Sequence, residues 1–181
     1  MFDIDDFVSD CVAALYESEP RRAIREVLAR AMTEPASVAD SLDHALAGLN
    51  ILYRSPGLTV LNVVWAPLMS LQPHDHRMWA AIGIYAGQED NSFFRRQVKG
   101  LTSSGGKELR TGDVILLGDD TIHAVSNPNR QHTGAIHVYG GDFVATPRSQ
   151  WDPETLEEQP YDLDGILRQF ADANSRSEPS C

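Results

Sequence analysis

From Leu49 onward the chain consists of short segments rich in β-branched and aromatic residues, separated by clusters of turn-forming residues. The segments are LNILYR, LTVLNVVW, MWAAIGIY, SFFRRQV, DVILL and GAIHVY, and the turn clusters are SPG, GQEDN, SSGG, GDD and NPNRQ. Many short strands at this spacing are typical of an antiparallel sandwich or barrel. We therefore expect an all-β barrel over residues 49–150.

The residues before Leu49 show a helical spacing of apolar side chains instead. Helices are predicted over residues 5–17, from Pro20 to the residue before Pro35, from Ser37 to Ala47, and near Leu163 to Ala173. A chain of 181 residues suits one domain, so we expect three parts of a single unit. These are a helical layer over residues 1–48, the barrel over residues 49–150, and a C-terminal extension with a frayed tail over residues 151–181.

The charge and composition of the chain exclude several classes of function. Its formal net charge is -11, from 26 acidic and 15 basic residues, and such a surface repels nucleic-acid phosphates. No apolar run approaches the roughly 20 residues of a membrane span, and the N-terminus lacks the basic start of a signal peptide. Cys11 and Cys181 are expected to be unpaired thiols. We therefore expect a cytoplasmic protein that binds neither nucleic acid nor membrane.

Three histidines are placed where they can share one metal ion. His74 and His76 are two residues apart at the predicted start of a strand, where side chains two apart lie on one face. His123 follows the turn cluster GDD and begins another predicted strand. Because imidazole nitrogen is a good ligand for divalent transition ions, this pattern predicts a metal site.

The segments around these histidines, PHDHRMWAAIGIYAG and GDVILLGDDTIHAVSN, resemble the two sequence motifs of the cupin superfamily. The positions that match are His74, His76 and Gly87 in the first motif, and Gly112, His123 and Asn127 in the second. The sequence departs from the motifs at Ala80, where a glutamate is expected, and at Gly118 and Asp120, which replace a proline and a glycine. The resemblance implies a cupin jelly roll, also called a double-stranded β-helix, with the three histidines as metal ligands.

The absence of the motif glutamate changes the chemistry that the site can support. With Ala80 in its place, an ion held by three neutral nitrogens keeps its full charge, which favours an anionic ligand such as a thiolate. The stretch from Ala135 to Tyr139 resembles the Ser-x-His-x-Tyr element of the cysteine dioxygenase family. That resemblance implies that iron(II) is the metal, that His137 orients Tyr139, and that the phenol hydrogen-bonds substrate or oxygen.

Arginine is the expected partner for a substrate carboxylate. By its position in LYRSPG, Arg54 resembles the substrate-binding arginine of the same family. One of Arg95 and Arg96 is expected to face the barrel interior, because consecutive strand residues face opposite ways, and it is an alternative anchor. Ala81 matches the cysteine that is cross-linked to tyrosine in the mammalian enzymes, whereas Trp79 resembles the bacterial members.

The resemblance implies an iron(II) thiol dioxygenase that converts a small thiol and dioxygen into a sulfinic acid. It leaves cysteine, 3-mercaptopropionate and cysteamine open as substrates. Two alternatives remain at this point: another three-histidine cupin dioxygenase, such as one that cleaves carbon–carbon bonds, and a cupin that binds a metal or ligand without catalysis. Since cupins are often dimeric, a homodimer is also compatible with the sequence.

Overall fold

The computed structural model describes residues 1–177, so Cys181 and the three residues before it lie outside the described residues, whereas the first three residues of the predicted frayed tail belong to a helix. The helices are α1 (Ile4–Ala14), α2 (Pro20–Ala31), α3 (Pro35–Ser41) and α4 (Leu163–Ser177). The strands are β1 (Gly48–Arg54), β2 (Thr59–Trp65), β3 (Ser70–Asp75), β4 (Ala80–Ala86), β5 (Gln88–Arg96), β6 (Leu101–Arg110), β7 (Val114–Leu117), β8 (Ile122–Ser126), β9 (Thr133–Tyr139), β10 (Ser149–Trp151) and β11 (Glu158–Pro160).

The strands form two antiparallel sheets, and their order defines the topology. The first sheet has the order β1-β2-β9-β4-β7, and the second has the order β11-β10-β3-β8-β5-β6. Apart from the β5–β6 hairpin, successive strands from β2 to β9 alternate between the two sheets. This arrangement is a jelly roll, which confirms the all-β fold predicted from the sequence.

The N-terminal helices pack on the outer face of the first sheet. Ile24 and Leu28 of α2 belong to one buried cluster with Val60, Ala81 and Ile136 of the sheet. Strands β2 and β9 are consequently buried along their whole length, because helices cover one face and the barrel interior covers the other. Cys11 of α1 is free and buried within this cluster, and burial raises its pKa to about 12.

Gly83 of β4 allows α2 to approach the sheet closely. A Cβ atom at this position would lie 2.9 Å from Cγ of both Leu28 and Met32, which is closer than non-bonded carbons tolerate. The missing side chain is therefore what lets the helix seat its apolar stripe on the strand.

The C-terminal segment completes the barrel. Strands β10 and β11 extend the second sheet beyond β3, and the expected boundary between residues 150 and 151 lies inside β10. Ile166 and Phe170 of α4 pack into the interior core, where the ring of Phe170 lies 5.3 Å from that of Trp65. Within residues 1–177, no helix is long and apolar enough to cross a membrane.

Several predicted boundaries differ from the structure. The third helix ends at Ser41 rather than near Ala47. The clusters GQEDN and SSGG, which were predicted to be turns, lie almost entirely within β5 and β6. The chain bends at Gly87, with a φ of 80°, as it passes from β4 in the first sheet to β5 in the second, so the polar residues after it are free to pair as a strand.

Candidate metal centre

Two neighbouring strands of the second sheet bring the three histidines together. His74 lies at the end of β3, directly opposite His123 of β8, and His76 follows just after β3 ends rather than starting β4 as predicted. All three side chains are buried, and their ligand atoms lie within 4.8 Å of one another. We call this group the three-histidine cluster.

Asp75, the last residue of β3, lies between His74 and His76 and fixes the local backbone. Its buried carboxylate accepts a 2.7 Å ion pair from Arg77 and a 3.3 Å ion pair from Arg96, and it also accepts the backbone N–H of Ser149 at 2.8 Å. Arg77 itself has a positive φ of 56°, so the chain turns sharply after His76. These contacts on the outer face hold the neighbouring imidazoles toward the barrel interior.

The hydrogen bonds of His74 and His123 leave one nitrogen of each ring available. Nδ1 of His74 donates to the carbonyl oxygen of Gln72 at 3.0 Å, and Nδ1 of His123 donates to Oδ1 of Asn91 at 2.6 Å. Each Nε2 then carries a lone pair. Within residues 1–177, Nδ1 of His76 has no hydrogen-bond partner.

The nitrogen positions fit one divalent ion. Nε2 of His76 lies 3.3 Å from Nε2 of His123. Two nitrogens bonded to one ion at roughly 2.1 Å lie about 3.0–3.4 Å apart when the angle between the bonds is between octahedral and tetrahedral values. The three-histidine cluster therefore fits a metal ion, and within residues 1–177 it includes no carboxylate, in agreement with Ala80 at the motif position.

Electrostatics keeps these histidines in the form that binds metal. Burial lowers the pKa of His74 to about 4. Burial, followed by the nearness of the other histidines, holds the pKa of His76 and His123 well below the ordinary histidine value. The rings are therefore neutral near pH 7, and their lone pairs are available to a cation.

The predicted outer pair, His137 and Tyr139, lies beside the cluster on β9. The Tyr139 ring is 5.0 Å from the His76 ring at an interplanar angle of 76°, and its hydroxyl is 3.0 Å from Nδ1 of His137. Nε2 of His137 in turn lies 3.2 Å from Oε2 of Glu89. Burial raises the pKa of Tyr139 well above its ordinary value, so the phenol is protonated.

Comparisons with known proteins support the fold. No protein-family model matches the chain. A protein from Bacillus halodurans superposes with a TM-score of 0.51 and 16% identity, over 57% of this chain and 77% of that chain. This match supports the fold described above. The fold is a cupin jelly roll.

Other solved structures resemble this chain more distantly. An RmlC-like cupin family protein with a double-stranded β-helix fold, from Methanocaldococcus jannaschii, has a TM-score of 0.46 and 11% identity over 56% of this chain and 86% of that chain. Oxalate oxidase in complex with glycolate has a TM-score of 0.41 and 16% identity over 47% of this chain. The match spans 42% of the oxalate oxidase chain, which is less than half of its length.

Of the arginines predicted from the sequence, Arg54 and Arg96 pair with carboxylates of this chain and Arg95 is exposed. Arg54 makes a bidentate ion pair with Asp142, at 2.9 and 3.0 Å, and its side chain is 40% exposed. Its predicted role in substrate binding stays a prediction, although its guanidinium already has a carboxylate partner. Arg95 and Arg96 are both exposed, so the expectation that one of them faces inward is wrong. A bulge between Phe93 and Phe94 shifts the register just before them.

A different arginine lies beside the three-histidine cluster, and no sequence motif marked it. The guanidinium of buried Arg148 is sandwiched between the rings of Phe143 and Tyr161, at 4.1 and 3.9 Å. Nη1 donates to the carbonyl oxygens of Phe143 and Thr146, at 2.5 and 3.2 Å, whereas Nε and Nη2 are buried without a hydrogen-bond partner in the described part of the chain.

Arg148 is close enough to the cluster to affect it electrostatically. The Tyr161 ring that it covers lies 5.8 Å from the ring of His74, and its charge contributes to lowering the pKa of His74 and His76. A buried cation with free N–H groups is costly unless an anion completes its hydrogen bonds. The arrangement is therefore suited to a ligand that carries a carboxylate.

Proposed function

We propose that this protein is an iron(II)-dependent thiol dioxygenase that oxidises a small carboxylate-bearing thiol to its sulfinic acid. The observation that carries the proposal is a ligand set of three neutral, buried histidines beside the hydroxyl of Tyr139. An ion in such a set keeps its double charge, so a thiolate binds to it favourably. Both atoms of dioxygen end on the sulfur, since a thiol and dioxygen together contain all the atoms of the sulfinic acid.

The positions of the side chains support a separate role for the metal and for each residue near it. Iron(II) would supply the activation of dioxygen, which no side chain can perform. Arg148 would hold the carboxylate of the substrate through its free Nε and Nη2, so that the thiol lies toward the three-histidine cluster. The rings of Phe143 and Tyr161 flank the guanidinium and keep water from competing for it.

The test of this function is oxygen consumption by the iron(II)-loaded protein with three thiols. We expect 3-mercaptopropionate or cysteine to drive uptake of one dioxygen per thiol, and the product to gain two oxygen atoms by mass spectrometry. Cysteamine, which lacks a carboxylate, is expected to react poorly. Uptake with a diketone but with no thiol would favour carbon–carbon cleavage. Bound metal without any uptake would favour a non-catalytic cupin, and either result would reject the proposal.

The hydroxyl of Tyr139 provides a second prediction. Tyr139→Phe keeps the ring against His76 and Phe143, so bound iron should remain while turnover falls by about 10–100-fold. Metal analysis and steady-state kinetics measure the two effects. Tyr85→Phe is the matched control, because it removes another buried hydroxyl, bonded to Asn62, on the outer side of the sheet. Unchanged kinetics for Tyr139→Phe with every thiol would leave the hydroxyl a purely structural role.

A further inference from the structure

Glu89 is a fully buried carboxylate inside the barrel that lies outside the metal ligand set. Its Oε2 accepts from Nε1 of Trp65 at 2.8 Å and from Nε2 of His137 at 3.2 Å, and its Oε1 accepts from Nδ2 of Asn91 at 3.0 Å. Burial alone would raise the pKa of Glu89, but the neighbouring His137 and these three hydrogen bonds hold it below the ordinary value. The group is therefore an anion, and it can only accept hydrogen bonds.

One branch of this network reaches the metal ligand His123. Because Nδ2 of Asn91 donates to Glu89, the amide must present Oδ1 on its other side, where it lies 2.6 Å from Nδ1 of His123. That oxygen requires a proton on Nδ1 of His123. Nε2 of His123 is then left with the lone pair that a metal ion needs.

The other branch reaches the tyrosine. Since Glu89 accepts from Nε2 of His137, that nitrogen carries a proton, and we infer that Nδ1, which faces a hydroxyl rather than a carboxylate, is the acceptor of the ring. The neighbouring hydroxyl of Tyr139, 3.0 Å away, must then donate to it. The phenol oxygen keeps its lone pairs for a donor on the side of the three-histidine cluster.

We propose that Glu89 is a positioning residue that sets the proton positions of the ligand His123 and of the His137–Tyr139 pair at the same time. It joins the two sheets to do so, because Trp65 and His137 belong to the first sheet and Asn91 and His123 belong to the second. The importance of the tyrosine branch for turnover rests on the proposed function. The hydrogen-bond directions and their effect on metal binding do not depend on it.

Glu89→Gln tests the proposal, because the change keeps the shape of the side chain and replaces one acceptor oxygen by a donor. The amide oxygen must stay toward Trp65, whose Nε1–H can only donate, so the new NH2 group takes the place of Oε1 and faces Asn91. Asn91 then turns its own NH2 toward His123. That arrangement opposes a proton on Nδ1 and disfavours the ligating form of the ring.

Glu89→Gln is expected to weaken metal binding through the His123 branch and to leave the proton position of His137 unchanged. Affinity for Zn(II), measured by competition with a chelator, should fall by about 10–100-fold in Glu89→Gln. In the zinc-loaded proteins, ¹⁵N NMR of the imidazoles should show the proton of His137 on Nε2 both in the wild type and in the variant. Wild-type zinc affinity in Glu89→Gln, or a wild-type His137 with its proton on Nδ1, would overturn the proposal.

A second variant keeps the test decisive if Glu89→Gln does not fold. Asn91→Leu removes the link between Glu89 and His123 and should lower zinc affinity by a similar factor, without moving the proton of His137. In the double variant the two losses should not add, because both act through the same link. Additive losses, or unchanged affinity in Asn91→Leu, would contradict the mechanism. All of these readouts are independent of thiol oxidation, so failure of the proposed function would be seen separately in the oxygen assay.

Discussion

Replacing His123 by alanine is expected to remove most of the bound divalent ion and, with it, oxygen consumption. His123 supplies one of only three nitrogens in the cluster, and its Nε2 lies 3.3 Å from that of His76, at the separation expected for two ligands of one ion. Changes around metal ligands cost about 10–100-fold in affinity, so the loss of a ligand itself should exceed about a hundredfold. Metal analysis and competition with a chelator measure this directly.

The matched control is His44→Ala. His44 is a histidine outside the cluster whose Nδ1 contacts the carbonyl oxygen of Leu42 at 3.0 Å, so its loss should leave metal content unchanged. Removal of the ion from the wild type with a chelator should reproduce the inactivity of His123→Ala, and added iron(II) should restore activity to the wild type alone. Full metal occupancy in His123→Ala would show that the ligand set is wrong, and His137 would become the replacement ligand.

The three-histidine cluster could be predicted from the sequence because each of its members lies in a local pattern. The pair His74 and His76 is two apart, and His123 follows a recognisable turn, so spacing and motif resemblance were enough. What spacing could not supply was the register, in which His74 of β3 lies directly opposite His123 of β8. That pairing depends on hydrogen bonds between strands that are distant in sequence, and no short segment of the sequence reveals them.

The hydrogen-bond network of Glu89 and Asn91 was missed because the composition of the segment that contains them is misleading. Glu89 and Asn91 lie in GQEDN, which has the composition of a turn, but the structure places them inside β5 with both side chains buried. Their burial is tolerated because Oε1 of Glu89 and Nδ2 of Asn91 pair with each other, and their other two polar atoms find partners on β2, β8 and β9. Local propensity cannot indicate such partners, since they come from strands distant in sequence.

The arginines also show that contacts between residues distant in sequence could not be predicted. The position of Arg54 suggested a substrate role, yet its partner Asp142 lies 88 residues away and could not be inferred from the sequence. Arg148 stands in a segment between β9 and β10 with no motif to mark it, and only the packing of Phe143 and Tyr161 places its guanidinium beside the cluster. The choice between these two arginines is therefore a question for experiment.

Arg148→Gln is expected to raise the KM for 3-mercaptopropionate and cysteine by about ten- to a hundredfold. A charge-assisted hydrogen bond in a buried site is worth roughly 1.5–3 kcal/mol, which corresponds to that range. The KM for cysteamine should hardly change, because that thiol has no carboxylate. Arg148→Lys should recover part of the loss, since an ammonium keeps the charge but lacks the planar pair of donors that the guanidinium presents.

The comparison with Arg54→Ala makes this test discriminating. Arg54 is half-exposed and paired with Asp142, and an exposed ion pair contributes at most about 1 kcal/mol, so its loss should leave all three KM values close to those of the wild type. If Arg54→Ala raised the KM for the two carboxylate-bearing thiols and Arg148→Gln did not, Arg54 would be the arginine that binds the substrate carboxylate. Its ion pair with Asp142 would then have to open. An equal rise in KM for all three thiols in Arg148→Gln, together with lower thermal stability, would mean that the guanidinium only supports the packing of Phe143 and Tyr161. In the Arg148 variants, the rings on either side of this position pack against a smaller side chain. Iron content and the unfolding midpoint are therefore measured for each variant alongside the kinetics.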